Sequence, residues 1–266
     1  MLLAGGIGTF LYLRSRGATP PVPGQQRCVA TAGSGSVTID LDQAHYASII
    51  AGLSIRRGLA PRAASIALAT AYQESGIRNL TYGDRDSQGL FQQRPSQGWG
   101  SAKQVRDPYH ATNRFYAALV KIANWETRDI TEVAQKVQRS GHPNAYRDHE
   151  ADARVLASVL TGQSPGGMTC LDRRNKAGDA AGLVTAMTKT FGPLVDRRSG
   201  SVVSIAATSS RLAWAYADFA VANAAYYGAT TVRVGDQQWQ TDTLNLPIWA
   251  AASPALDAQA VEITVR

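Results

Sequence analysis

The chain has 266 residues, 44% hydrophobic and 18% charged, which describes a folded globular protein and excludes a disordered or collagen-like one. Twenty-seven Lys and Arg against 20 Asp and Glu give a formal net charge of +7. No Lys/Arg-rich cluster accompanies that excess, so nucleic acid is not specially favoured; a mildly basic surface suits anionic cell-wall polymers or membrane lipids, or simply aids solubility.

Residues 1–13 (MLLAGGIGTFLYL) are apolar and are followed by Arg14-Ser15-Arg16. They fall short of the ~20 residues a membrane-spanning helix needs, and no basic stretch precedes them. The segment reads as a membrane anchor or signal whose start lies upstream, or as a short hydrophobic tail. Residues 18–26 (ATPPVPGQQ) read as an extended proline-bearing linker, so 1–26 form an anchor and linker with the body outside the membrane. Residues 33–36 read as a flexible joint. Residues 40–58 predict a helix capped by Asp40 or Asp42 and stopped by Gly58. A second helix runs from Pro61, suited to a first turn, to Ser75, with Gly76 ending it. Asp107-Pro108 opens a third, and residues 130–139 and 146–160 give two more. Strand-period alternation is nearly absent before residue 170, so this part is expected to be mainly helical.

Residues 161–176 are rich in turn formers and mark a boundary, dividing the chain into 27–170 and 171–266. Beyond it, 180–191 and 209–227 read as helices, and 202–207, 230–234 and 260–265 as strands. The expected fold is α+β: a mainly helical domain followed by a small α/β module. In that module Trp214, Tyr216, Phe219, Tyr226 and Tyr227 recur at helical spacing, as core residues do. Trp239 and Trp249 either contact glycan or cover the sheet. Cys28 and Cys170 bracket the first part; an even count at its two ends points to a disulfide and an exported protein, with two separate buried thiols as the alternative. His142 and His149 do not form a zinc motif, and neither metal nor cofactor is expected.

Glu74 carries the functional argument. At 3.6 residues per turn it lies above Thr70, Ala67 and Ile66, on the stripe that faces the core. A carboxylate drawn into apolar surroundings resists ionisation, as a general acid near neutral pH must. The loop over residues 76–100 then offers amides (Gln92, Gln93), aromatic faces (Phe91, Trp99) and glycines, the materials of a sugar-binding cleft. Leu90 and Phe91 read as core, and Trp99 as either a stacking platform or packing. Most glycosidases pair two carboxylates about 5 to 9.5 Å apart. The available partners are Asp84 and Asp86, for which a structural or calcium-like turn role is at least as good an account.

Gln73-Glu74-Ser75, followed by Ser87-Gln88-Gly89-Leu90-Phe91-Gln92, resembles the lysozyme-like superfamily, within it the lytic transglycosylases of the soluble type and the goose-type lysozymes. Residues 74–95, Gly98-Trp99-Gly100, Asp107-Pro108-Tyr109 and Val137-Gln138-Arg139-Ser140 are similar to lysozyme-like cell-wall proteins of actinobacteria. The resemblance covers residues 40–162. It implies a muramidase that cleaves the β-1,4 bond between N-acetylmuramic acid and N-acetylglucosamine in peptidoglycan. Glu74 would be catalytic, and Ser87, Gly89, Gln92 and Gln93, with Trp99 and Tyr146, would line the substrate cleft. Tyr146, after Pro143-Asn144-Ala145, corresponds to the tyrosine-bearing end of the family's last motif, whereas residues 137–140 depart from the usual Tyr-Asn-x-Gly. Lytic transglycosylases work with one glutamate and the substrate's N-acetyl group, so Asp84 and Asp86 are not required. The implied partners are peptidoglycan strands, the membrane through the N-terminal segment, and other cell-envelope proteins. A protein that binds or scaffolds wall glycan without cutting it is the alternative.

Overall fold

The computed structural model describes residues 25–138 and 146–266. The apolar segment 1–13, most of the linker, and the stretch holding Arg139, Ser140, His142 and Pro143-Asn144-Ala145 lie outside them. Among the described residues no helix is long and apolar enough to cross a membrane. The architecture is α+β.

The described residues begin with a hairpin where a helical body was expected. β1 (Arg27–Ala32) pairs antiparallel with β2 (Gly35–Ile39), and Ala32 faces Gly35 across Gly33-Ser34. The expected flexible joint is thus a tight turn, in which Gly33 supplies the positive φ of 57°. Cys28, Ala30, Val37 and Ile39 point inward. Alanine and serine at the alternating positions hid the period from a hydrophobicity reading. β3 (Met168–Leu171), inside the expected turn-rich stretch, adds to the other side of β1 and sets Cys28 opposite Cys170. A disulfide joins the two, across 142 residues of sequence.

The helices between Leu41 and Leu160, α1 to α6, then position the site. α1 (Leu41–Arg56) starts on a capping box between Asp40 and Gln43. α2 (Pro61–Ser75) takes Pro61 in its first turn and ends at Gly76, left-handed at φ 65°. After the short α3 (Ala102–Val105), α4 (Pro108–Leu119) is capped by Asp107, and α5 (Ile130–Gln138) follows. α6 (Glu150–Leu160) comes after a single 3-10 turn. α2 is the central element, packed on α1, α4, α5 and α6. Ala63, Ala64, Ile66, Ala67, Leu68, Ala69 and Ala71 are all fully buried. The alanines let neighbouring backbones approach closely, so the helix is enclosed on every side until its last turn.

Beyond β3 come α7 (Ala180–Phe191), β4 (Val195–Ser199), β5 (Val202–Ala206), α8 (Ser210–Ala222), α9 (Ala224–Tyr227), β6 (Ala229–Val234), β7 (Gln237–Gln240), β8 (Ala250–Ala251) and β9 (Ala260–Val265). The strands form an antiparallel sheet in the order β4-β5-β9-β6-β7-β8. The strands absent from the sequence reading are the outer ones, β4, β7 and β8; every residue of β4 is exposed, so it has no apolar alternation to detect. The helix expected over 209–227 breaks at Asn223. That side chain is fully buried and donates to Ser48 and to the Phe219 carbonyl while its Oδ1 pairs with His45 Nδ1. It links α8 to α1 at the cost of helical continuity. Burial lowers the His45 pKa below its ordinary value. Trp239 is fully buried with its Nε1 on Thr169, and Trp249 donates to the Met168 carbonyl beside Trp214. Both cover β3.

Asp218 of α8 is fully buried beneath β3; Oδ1 accepts from Met168 N, and Oδ2 has no hydrogen-bond partner. Burial raises its pKa well above the ordinary carboxylate value, against a smaller opposing effect of the Met168 N–H. The folded state therefore holds this proton to higher pH than the unfolded chain, which releases it near pH ~4. Stability must fall as pH rises through the window between the two values. Asn cannot ionise, so Asp218→Asn should flatten that slope. We expect its melting temperature to gain on the wild type from about pH 4 upward, read by circular dichroism across pH 4 to 8. Parallel curves would mean that Asp218 is ionised at no such cost.

Candidate functional site

The last turn of α2 leaves the core, and Glu74 leaves it there. Thr70, Ala67 and Ile66 beneath it are buried, as the helical phase predicts, while Glu74 is half-buried. Next to it Ser75 faces the loop: its hydroxyl lies 2.8 Å from the Leu90 carbonyl and accepts the Arg78 N–H at 3.1 Å. Gln138, at the end of α5, donates to the next carbonyl, Phe91, at 2.6 Å. The bend itself closes by reciprocal backbone bonds between Gln88 and Gln93, both 3.1 Å. Leu90 and Phe91 are fully buried, Phe91 stacked on Phe115 of α4. The bend is therefore anchored from α2, α4 and α5 together, and its polar side faces the carboxylate.

Between the bend and Glu74 lies a cavity of about 200 Å³ lined by Glu74, Ser87, Gln92, Gln93, Arg94, Gln97, Trp99 and Gln138. Of the residues expected from the sequence, Glu74, Ser87, Gln92, Gln93 and Trp99 meet there. Gln92 holds a left-handed backbone at φ 45° and donates to the carbonyls of Tyr82 and Gly89. Gln93 is almost wholly buried and donates to Ala111 O, so its amide serves the wall more than the lumen. Trp99 is half-buried at one end of the cavity. Tyr146 reaches Glu74 from a separate element, its hydroxyl donating to Oε1 at 2.7 Å. That bond fixes the rotation of the carboxylate.

The buried Tyr146, Gly89, Asp84 and Asp86 are not among the lining residues. Gly89 has φ 79°, and a Cβ there would meet Val105 O at 2.1 Å, so close packing of the bend accounts for the glycine. Asp84 is solvent-exposed beside Arg85. Asp86 accepts from Arg94 Nε at 2.8 Å, Ser96 N at 2.7 Å and Ser96 Oγ at 3.0 Å. The Arg94 guanidinium, and then the Ser96 N–H, hold its carboxyl far below the usual range. It stays ionised and ties Arg94 in place. Arg94, Gln97 and Gln138 are the lining residues the sequence reading did not select. The only signal for Gln138 was its position in the 137–140 stretch, at a helix end.

Behind Glu74, His149 stacks on Tyr72 with centroids 5.0 Å apart and pairs with Gln73 at 3.1 Å. Burial lowers the His149 pKa and raises that of Tyr72 to about 12. Among the described residues no group of three or more His, Cys, Asp and Glu converges to hold a metal ion.

Ser75→Ala removes the tie between α2 and the bend and leaves the Leu90 carbonyl without that donor. A loss of about 1–3 kcal/mol in unfolding free energy is expected in urea, with faster hydrogen exchange over residues 88–93 than elsewhere. Uniform loosening of the whole chain would count against a local clasp. Compared with models of known protein families and with curated proteins, the chain matches none, and the site is read from its own chemistry.

Proposed function

We propose that the protein cleaves peptidoglycan at the β-1,4 bond between N-acetylmuramic acid and N-acetylglucosamine, with Glu74 as the general acid. The supporting observation is one carboxylate, half-buried and held by Tyr146, at the wall of a polar cavity formed by the Ser87–Gln93 bend. The glutamine side chains at the cavity suit N-acetyl groups, and Trp99 offers a face to a sugar ring. The motif resemblance over residues 74–95 to lysozyme-like proteins agrees with this arrangement.

Glu74 gives its proton to the glycosidic oxygen as the bond to C1 breaks, and the positive charge builds on the sugar. The carboxylate so formed then accepts a proton from the incoming hydroxyl. Water as nucleophile gives a reducing end; the muramic C6 hydroxyl gives a 1,6-anhydro ring. Among the described residues no second carboxylate lines the cavity, which favours participation by the substrate's N-acetyl group over an enzymic nucleophile. The oxocarbenium-like charge is then met by the substrate itself. The disulfide suits an oxidising compartment, in keeping with an exported body tethered by the segment 1–13.

The full chain and Glu74→Gln should be compared on purified peptidoglycan. Wild type is expected to release muropeptides, and Glu74→Gln to be slower by about 10²–10⁴-fold while still pelleting with the glycan. Mass spectrometry of the products separates reducing from anhydro ends. Pelleting by both proteins with release by neither would replace the enzyme with a glycan-binding protein.

A further inference from the structure

A second, larger cavity, of about 310 Å³, shares Gln97 and Trp99 with the first and is not lined by Glu74. α4 brings Arg114 to its wall, the turn after α4 brings Lys121 and Ile122, and α5 brings Lys136. Three cations thus surround one concavity with no carboxylate among its lining residues. Arg114 spends one nitrogen on the Gly98 carbonyl at 3.0 Å. Neither Lys121 nor Lys136 joins an ion pair among the described residues. Like charges so gathered repel one another and focus a positive potential into the hollow. Ile122 and the Trp99 ring give the same hollow an apolar side. The ligand this selects is anionic and partly aliphatic.

We infer that this cavity binds the carboxylates of the peptide stem carried by a muramic residue of the strand whose scissile bond lies at Glu74. The inference rests on the function proposed above. A strand lying across Glu74 and Trp99 enters the second cavity without leaving the first. Its N-acetyl sugar backbone is uncharged, so the anionic groups it can present there are those of the stem. Short aliphatic side chains of such a stem meet Ile122 and Trp99, and its carboxylates meet Lys121 and Lys136. The site then distinguishes stem-bearing from naked glycan.

The test uses the full chain, wild type and the double variant Lys121→Gln/Lys136→Gln, on intact peptidoglycan and on the same strands stripped of stems by an amidase, with the lactyl carboxyls so freed capped as methylamides to leave the bare strand uncharged. Both lysines are exposed and outside the Glu74 cavity, so the variant should fold. On stem-bearing strands it should lose about tenfold in kcat/KM, mostly through KM, and added salt should shrink the difference. On stripped strands the two proteins should be equal. Equal rates on stem-bearing strands, or an equal loss on both substrates, would overturn the inference while leaving the enzyme standing. Inactive wild type on both substrates overturns the enzyme instead. Equilibrium binding of the two strand types to the two proteins then gives the same contrast without turnover. A glycerol phosphate oligomer binding the wild type as tightly as stem-bearing strands would assign the cavity to phosphate polymers and overturn the stem.

Discussion

The Ser75 hydroxyl on the Leu90 carbonyl is where the enclosed central helix meets the bend that walls the cavity. α2 has little freedom, because alanines bring α1, α4, α5 and α6 against it on all sides. The bend has no such enclosure of its own; it is a six-residue loop closed by two backbone bonds. Contacts to three helices hold it: Ser75 on the Leu90 carbonyl, Gln138 on the next one, and, to α4, Phe91 against Phe115 and Gln93 on the Ala111 carbonyl. Two carbonyls claimed from two helices fix both the height and the tilt of the loop. A serine directly after the glutamate suits this arrangement: its hydroxyl lies between the Ala71 carbonyl of its own helix and the Leu90 carbonyl of the loop, while the carboxylate lines the cavity.

That arrangement explains which parts of the site were legible in the sequence. Glu74 was, because it closes an apolar run stopped by Gly76; the burial of Thr70, Ala67 and Ile66 is shared by every residue from Ala63 to Ala71, so helical phase did not distinguish that face. The bend was, because glycine at 89 and a glutamine-rich stretch are local signals. Gln138, Arg94 and Gln97 were not, since each reaches the cavity through tertiary packing that no window of sequence contains. Asp86 is the instructive case. Its residue type and distance from Glu74 in sequence suited a second carboxylate, but the Arg94 side chain and Ser96 N–H claim it for the loop. An aspartate with a cation eight residues on and a free N–H nearby has a structural partner available.

The fold was legible to the same degree and for the same reason. Helices α2, α4 and α7 follow from Pro61 and Gly76, from Asp107-Pro108, and from the run after Asp179, all local start and stop signals. The hairpin of β1 and β2 escaped because Ala30, Ala32, Ser34 and Ser36 carry too little hydrophobic contrast to show a period of two. β4 escaped because both its faces are wet. Asn223 shows tertiary demand overriding local preference: an alanine-rich run favours one continuous helix, and a buried amide linking His45, Ser48 and Phe219 O breaks it.

The distribution of charge around the cleft follows from these constraints. Arg94 lines the Glu74 cavity but is already neutralised by Asp86, at 2.8 Å. An unpaired guanidinium in its place would favour the ionised form of Glu74 and work against its donating a proton. Asp86 therefore contributes to the proposed chemistry without touching the substrate, by keeping a structural cation from acting as an electrostatic one. In the cavity lined by Lys121 and Lys136 the opposite holds, since neither lysine joins an ion pair among the described residues. The two cavities thus differ in charge: the one beside Glu74 is close to balanced, as the proposed protonation of a glycosidic bond requires, and the one lined by Lys121 and Lys136 is positive, as the inferred anionic substituent requires. The excess of basic residues read from the composition gains there a location with a chemical consequence.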